Sequence, residues 1–140
     1  NSIVFMGYQA GFNHTTATRN TYIGIAAGFS NQTGNYNVAV GSNALYYATS
    51  GYNTAVGDIA LQLCTGNQNT AIGATSQRIT STGVSNTSCG ASTLYNNTTG
   101  SNNTSVGDSS LYNNTTADST PTMTGSGTPG DTITVTCTLL

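Results

Sequence analysis

A glycine recurs along this chain at nearly constant intervals, and apolar and β-branched residues alternate in front of it. The residue directly before each glycine is apolar, and the residue two positions earlier is Thr or Val. Alternation with a period of two predicts a short β-strand with one buried face before every glycine. The anchor glycines, separated by 16 or 17 residues, are Gly7, Gly24, Gly41, Gly57, Gly73, Gly90 and Gly107.

The more hydrophobic side of each predicted strand is expected to face the core. Cys89 belongs to this column because a free cysteine packs as a small hydrophobe, so we expect its thiol to be buried and inert. The residues two positions before the anchor glycines from Gly41 to Gly107 are Ala or Ser, which predicts an assembly face, on the side opposite the core, where a partner chain approaches closely. The predicted core column is Ile23, Val40, Val56, Ile72, Cys89 and Val106, and the predicted assembly positions include Ala39, Ala55 and Ala71.

Other columns recur in the same frame. An asparagine stands four residues before the anchor glycine, where stacked side-chain amides can form a ladder between coils. A second glycine column predicts turns with positive φ, and the residues between the two glycines predict a second short strand. An aromatic column, interrupted by Gln62 and Arg78, predicts stacked rings; a sugar-binding row is the alternative. The asparagines are Asn20, Asn37, Asn53, Asn69, Asn86 and Asn103, the second glycines Gly34, Gly51, Gly66, Gly83 and Gly100, and the aromatic residues Phe12, Phe29, Tyr46, Tyr95 and Tyr112.

One such unit cannot bury its apolar face alone, but stacked copies can. The short period excludes a two-helix repeat and predicts an all-β fold, a parallel β-solenoid of about seven coils over residues 1–117, with no helix beyond a turn or two. Residues 118–131, rich in Gly, Pro, Ser and Thr, predict a linker. Residues 132–140 predict an additional amphipathic strand, with Ile133, Val135 and Leu139 on its apolar side. This strand either caps the last coil or is donated to a neighbouring subunit.

The composition narrows the functional classes. Only 4% of the residues are charged, the net charge is -2, and Lys, Glu and Trp are absent, whereas 36% are hydrophobic. Nothing electrostatic favours a nucleic-acid partner, and no apolar run is long enough for membrane insertion.

The ionisable residues do not form a recognisable reaction centre. Asp58 and Asp108 occupy one column but lie three coils apart, roughly 14 Å at the spacing of β-strands, and are predicted to be solvated turn residues. His14 has no neighbouring ligand residues, and the three cysteines show no zinc-site spacing, which leaves a Cys64–Cys137 disulfide open. We therefore expect no catalytic residues, no metal site and no cofactor, and a protein that is not an enzyme.

The stretches "NVAVGSNAL", "NTAVGDIAL", "NTAIG" and "LYNNTTGSNNTSVGDSSLYNNTT" resemble the head repeats of trimeric autotransporter adhesins. They resemble even more closely the repeats of phage and giant-virus fibre proteins. The resemblance implies a left-handed parallel β-roll, usually trimeric, that serves as a structural or adhesive segment of an extracellular fibre on a virion or cell surface. A receptor or glycan on a host surface is the implied partner.

Two alternative functions remain. The chain could be the subunit of an extracellular filament that polymerises through the ends of its solenoid and its C-terminal strand, because an open strand edge is a template for pairing. It could also be an ice-binding solenoid. A threonine column exists (Thr15, Thr49, Thr65, Thr98 and Thr115), but it lacks a regular outward Thr-x-Thr pair. Six of the Asn-x-Ser/Thr sites are candidate glycan acceptors if the host glycosylates the chain: Asn13, Asn31, Asn86, Asn97, Asn103 and Asn114.

Overall fold

The computed structural model describes residues 2–119 and 123–124. Within these residues the chain forms a β-solenoid without helices, as predicted. Consecutive strands pair in parallel and in sequence order, so that one sheet connects all the coils that the structure describes. The strands are β1 (Val4–Met6), β2 (Thr21–Ile23), β3 (Val38–Val40), β4 (Thr54–Val56), β5 (Thr70–Ile72), β6 (Thr87–Cys89), β7 (Thr104–Val106) and β8 (Met123–Thr124).

The pairing register places equivalent residues of successive repeats next to each other. In β4 and β5, Thr54 pairs with Thr70, Ala55 with Ala71 and Val56 with Ile72. The same register holds from β1 to β7 because each coil advances by one repeat. The sequence columns are therefore physical stacks of side chains.

The strands face the opposite way from the prediction. Ala39, Ala55 and Ala71, the expected assembly positions, are completely buried inside the coil. The expected core column lies on the outer face, where Ile72 is 44% and Val106 38% exposed. Val56 and Cys89 are exposed as well, and Ile23 and Val40 are half-buried. The physical reason is the narrow cross-section: wherever the opposite wall contributes a leucine, the strand has room for only a small side chain on its inner face.

The opposite wall supplies most of the core volume. It contains Leu45, Leu61 and Leu94, all fully buried, four residues after the anchor glycine. Tyr22 occupies the interior in the second coil, and there the leucine position is Gly28. A Cβ atom added to Gly28 would overlap the Tyr22 ring. A large residue on one wall is thus matched by a small one on the other, as dense packing requires.

The segment after each anchor glycine is a run of turns and not the second strand that the pattern predicts. Alternate residues have left-handed backbone, as in Asn43 at φ 54° and Leu45 at φ 52°. These turns still bond to neighbouring coils, because Gly28 N–H donates to Ala44 O at 2.9 Å and Ser30 N–H to Tyr46 O at 2.9 Å. Backbone hydrogen bonds therefore connect successive coils along this wall, as they do in the sheet, although the backbone of the wall is not extended.

The two glycine columns have different roles. Gly57 adopts φ +136°, and a Cβ atom there would lie 2.5 Å from Gly73 O. The second column lacks the predicted positive φ. At Gly51 the constraint is close approach alone, since a Cβ atom would lie 2.5 Å from Asn35 O in the preceding coil. Both columns hold successive coils together at backbone contact distance.

The asparagine column forms a continuous buried ladder from Asn20 to Asn103. Each side-chain oxygen accepts a hydrogen bond from the backbone N–H of the next asparagine, as between Asn53 Oδ1 and Asn69 N at 2.9 Å. The side-chain amide of Asn69 donates to Gly83 O at 2.9 Å. The ladder satisfies polar backbone groups that the corner of each coil would otherwise bury unpaired.

The solenoid continues beyond residue 117, where the repeat was expected to end. Asp118 Oδ1 accepts a hydrogen bond from Ser101 N at 2.6 Å, and Ser119 N–H donates to Ser101 O at 2.8 Å. Strand β8 pairs with β7 inside the predicted linker. The predicted strand at residues 132–140, with Ile133, Val135 and Leu139, lies outside the described residues.

Gln77 stands at the buried position that Leu45, Leu61 and Leu94 occupy in other coils, and it should be the least stable point of the interior. Its Nε2 donates to Thr70 O at 2.8 Å and to Ser88 Oγ at 2.9 Å, but its buried Oε1 has no partner in the described structure. We expect Gln77→Leu to stabilise the protein by about 1 kcal/mol, since it removes a buried unsatisfied carbonyl. Thermal unfolding measures the change, and Leu61→Gln is the matched reverse substitution, expected to destabilise. A lower melting temperature for Gln77→Leu would show that the two amide hydrogen bonds outweigh the unsatisfied oxygen.

Candidate functional site

The most distinctive surface is the outer face of the sheet, formed by the first and third residues of strands β1–β7. Its third-residue column is aliphatic apart from Met6 and Cys89, and its first-residue column is Thr or Val. Met6 is 61% exposed at one end of this face. Tyr8 and Ile25, which follow anchor glycines, widen the apolar surface in the first two coils. The first-residue column consists of Val4, Thr21, Val38, Thr54, Thr70, Thr87 and Thr104.

The threonine hydroxyls of the outer face are free. Thr21, Thr54, Thr70, Thr87 and Thr104 form no side-chain hydrogen bond within residues 2–119. In the other threonine column, three of the five hydroxyls donate to the backbone of the next coil. Thr15 Oγ1 donates to Gln32 O at 2.9 Å and Thr98 Oγ1 to Thr115 O at 2.8 Å. The outer face thus combines aliphatic groups with available hydroxyls.

No charged side chain interrupts the outer face. Asp58 and Asp108 follow anchor glycines and are exposed at its border. The arginines lie elsewhere, with Arg19 5.0 Å from the Tyr36 ring centroid and Arg78 5.5 Å from that of Tyr95. Among the described residues, no cluster of His, Cys, Asp or Glu could hold a metal ion. The outer face is therefore an uncharged surface of aliphatic groups and hydroxyls.

The aromatic column is occupied by its own stacking. Ring centroids lie 4.8 Å apart for Phe29–Tyr46 and for Tyr95–Tyr112, with nearly parallel planes. At the interruption, Arg78 bridges the gap by donating to Gln62 Oε1 at 3.2 Å and to Tyr95 Oη at 2.6 Å. A sugar ring stacks on an open aromatic face, and these faces are covered by neighbouring rings. The arrangement favours the structural interpretation of the column.

The two described cysteines differ in environment. Burial raises the pKa of Cys64 to about 12, and its Sγ contacts Gly66 O at 3.3 Å. Cys89 lies exposed on the outer face between Ile72 and Val106, which corrects the expectation that it is buried. Cys137 lies outside the described residues, so the Cys64–Cys137 disulfide stays a prediction.

Sequence reasoning assigned the outer face to the core because it ranked columns by hydrophobicity alone. The sequence does contain a signal for the correct orientation. The second coil has a large residue in its strand, Tyr22, and a glycine at position 28, whereas the third coil has Ala39 in its strand and Leu45 at the equivalent position. Side-chain volumes at these two positions compensate within each coil, which identifies them as facing residues of one interior.

Comparison of the chain with protein-family models, curated proteins and solved structures finds no match. The resemblance to fibre repeats therefore rests on the quoted motifs. Within residues 2–119 and 123–124 there is no helix that could cross a membrane.

Proposed function

We propose that this chain is a structural segment of an extracellular fibre and that it associates laterally with copies of itself through the outer face. The observation that carries the proposal is the row of exposed aliphatic side chains along the sheet, with Ile72, Val106 and Val56 each more than one-third exposed. A contiguous apolar surface of this kind on a soluble protein marks an interaction site.

A second copy of the chain is the partner that fits this face best. Two parallel rods in register bring each coil against its equivalent, so the change between 16- and 17-residue repeats introduces no mismatch. Aliphatic columns then meet aliphatic columns, and threonine hydroxyls find hydroxyl or backbone partners. The homotrimer implied by the sequence resemblance satisfies this geometry with three equivalent rods.

A charge placed on the outer face tests the proposal. We expect the double variant Val56→Arg, Ile72→Arg to convert the oligomer into a folded monomer, because two cations cannot be buried without partners. The control is Gln68→Arg with Ser85→Arg, which adds the same charge in the column that already contains Arg19. Analytical ultracentrifugation measures the mass, and circular dichroism checks the fold. An unchanged oligomer in the outer-face variant would exclude this interface.

Cys89 reports the arrangement of the copies. In a parallel assembly in register, Cys89 lies near Cys89 of the next copy, and a short bis-maleimide should cross-link them; an antiparallel assembly would separate them. Electron microscopy of the same material distinguishes discrete oligomers from continuous filaments, which would instead indicate association through the solenoid ends.

Ice binding is the second candidate because the outer face is a regular array of free threonine hydroxyls and aliphatic groups. The two functions make different demands on this surface, since an ice-binding face must stay open to water. A monomeric wild-type protein that shapes growing ice crystals, and a Val56→Arg, Ile72→Arg variant that does not, would select ice binding over self-association.

A further inference from the structure

The asparagine-rich repeats create an unusual number of potential N-glycosylation sites. Nine asparagines in this chain satisfy the Asn-x-Ser/Thr rule. Seven of them lie in the last repeats, between Asn86 and Asn114, where Ser88 and Ser105 replace the alanine that follows the ladder asparagines of earlier coils and Asn-Asn-Thr segments recur. The nine are Asn13, Asn31, Asn86, Asn96, Asn97, Asn102, Asn103, Asn113 and Asn114.

Four of these asparagines are completely buried: Asn31, Asn86, Asn97 and Asn103. Asn86 Nδ2 donates to Asn69 Oδ1 at 3.1 Å and to Gly100 O at 2.9 Å. Asn97 Nδ2 donates to Gly100 O at 2.8 Å, and Asn103 Nδ2 to Ala117 O at 2.9 Å. Their amide nitrogens, the atoms that would carry a glycan, are all used as donors. Those of Asn86 and Asn103 bond to the next coil, whereas those of Asn31 and Asn97 bond to the carbonyl three residues later in their own turn.

A glycan at any of these four positions is incompatible with the fold. The new N–C bond replaces one of the two hydrogens of Nδ2. At Asn86 both hydrogens are used in hydrogen bonds, so one of these bonds is lost. The first sugar would occupy the space of the adjacent coil, where Gly83 and Gly100 leave no room even for a Cβ atom. The backbone groups that lose their ladder partner would then be buried unsatisfied.

The other five sites are at the surface to different degrees. Asn102 and Asn113 are exposed, whereas Asn13, Asn96 and Asn114 are half-buried. Asn96 Nδ2 donates to Asn113 Oδ1 at 2.9 Å on the outside of the coil, which leaves the Asn113 amide nitrogen open to solvent. A glycan at Asn102 or Asn113 can extend into water without touching the ladder.

We propose that this solenoid folds productively only where no N-glycosylation reaches its four buried acceptor asparagines, and that its glycan-compatible acceptors are the surface sites, above all Asn102 and Asn113. Oligosaccharide transfer acts on flexible chain, so the buried sites are acceptors only before folding. The chain is thus suited to folding in a bacterial or eukaryotic cytosol. The inference does not depend on what the outer face binds.

Expression of the full chain in two compartments tests this. One sample is made in the bacterial cytosol and the other is directed through the eukaryotic secretory pathway, with and without an inhibitor of lipid-linked oligosaccharide synthesis. The rescue variant removes the four buried sites but keeps every asparagine: Thr33→Ala, Ser88→Ala, Thr99→Ala and Ser105→Ala. Alanine already occupies the positions equivalent to 88 and 105 in Ala39, Ala55 and Ala71. The control, Thr104→Ala with Thr115→Ala, removes only the sites at Asn102 and Asn113.

We expect wild type and control to be protease-resistant from the cytosol and protease-sensitive from the secretory pathway, with glycans mapped to the buried asparagines. The inhibitor or the rescue variant should restore resistance. The proposal is overturned by secreted, uninhibited wild-type protein that is protease-resistant and carries glycans at the buried sites, and equally by secreted protein that is protease-sensitive although those sites carry no glycan. A rescue variant that folds in the cytosol but stays sensitive after secretion would also overturn it.

Discussion

Replacing Ala55 by Asp is expected to abolish the fold of this protein. Ala55 is fully buried between Ala39 and Ala71 in the strand column that faces the interior. A carboxylate there has no cationic partner and no room for water, and burying an unpaired charge costs several kcal/mol or more. Domains of this size are stable by only about 5–15 kcal/mol, so the substitution removes most or all of the stability. Circular dichroism during thermal unfolding measures the loss.

The neighbouring substitution Val56→Asp is the matched control. Val56 differs by one position and points to solvent from the outer face, so the same carboxylate stays hydrated. We expect a change within about 1 kcal/mol for the isolated coil stack, together with loss of any lateral assembly. If Val56→Asp unfolded the protein and Ala55→Asp did not, the strand would face the other way.

The second large effect is expected at the Tyr22–Gly28 pair. Tyr22→Ala should destabilise by about 3–5 kcal/mol because it empties the interior of the second coil. Gly28→Leu alone should also destabilise, since the new side chain overlaps the Tyr22 ring. Combined, the two changes reproduce the Ala39–Leu45 pair of the next coil, where Leu45 has φ 52° and Gly28 already has φ 61°. The double variant should therefore be more stable than Tyr22→Ala alone.

The coupling energy from this double-mutant cycle tests whether Tyr22 and Gly28 face each other across one interior. Residues in direct contact couple by about 0.5–3 kcal/mol, and we expect a value near the upper end. The comparison cycle pairs Gly28→Leu with Tyr52→Ala, an exposed residue that stacks on Tyr36 on the surface. Additive effects in both cycles would show that Tyr22 and Gly28 do not share one cavity.

The repeat length predicted the solenoid, its parallel pairing and the absence of helices, because these follow from stacking identical units. The asparagine ladder was also predictable, since an asparagine such as Asn53 or Asn69 stands at the same place in each coil from the second onward. Which face of each strand points inward could not be predicted, because alternation with a period of two defines two faces without saying which is buried. Hydrophobicity favoured Val56 over Ala55, whereas the narrow coil admits only the smaller side chain.

The turn wall was the other feature beyond sequence reasoning. Leu45 and Leu61 adopt left-handed backbone, which β-branched and large residues usually avoid, and no local preference predicts it. The neighbouring coil imposes it through hydrogen bonds such as Leu45 N–H to Ala60 O at 3.0 Å. The free hydroxyls of the outer face were missed for the same reason as its orientation.

The winding of the chain has a mechanical consequence. Each coil lengthens the rod by about 4.8 Å, the spacing of paired strands, yet its 16 or 17 residues could span about 55 Å if pulled straight. Since every coil contacts only its neighbours, coils at an end can detach one at a time under load. A tether built this way would unfold in steps, each releasing roughly ten times the length that the coil occupied in the rod. The stepwise unfolding would absorb mechanical work under a force that would break a stiff attachment.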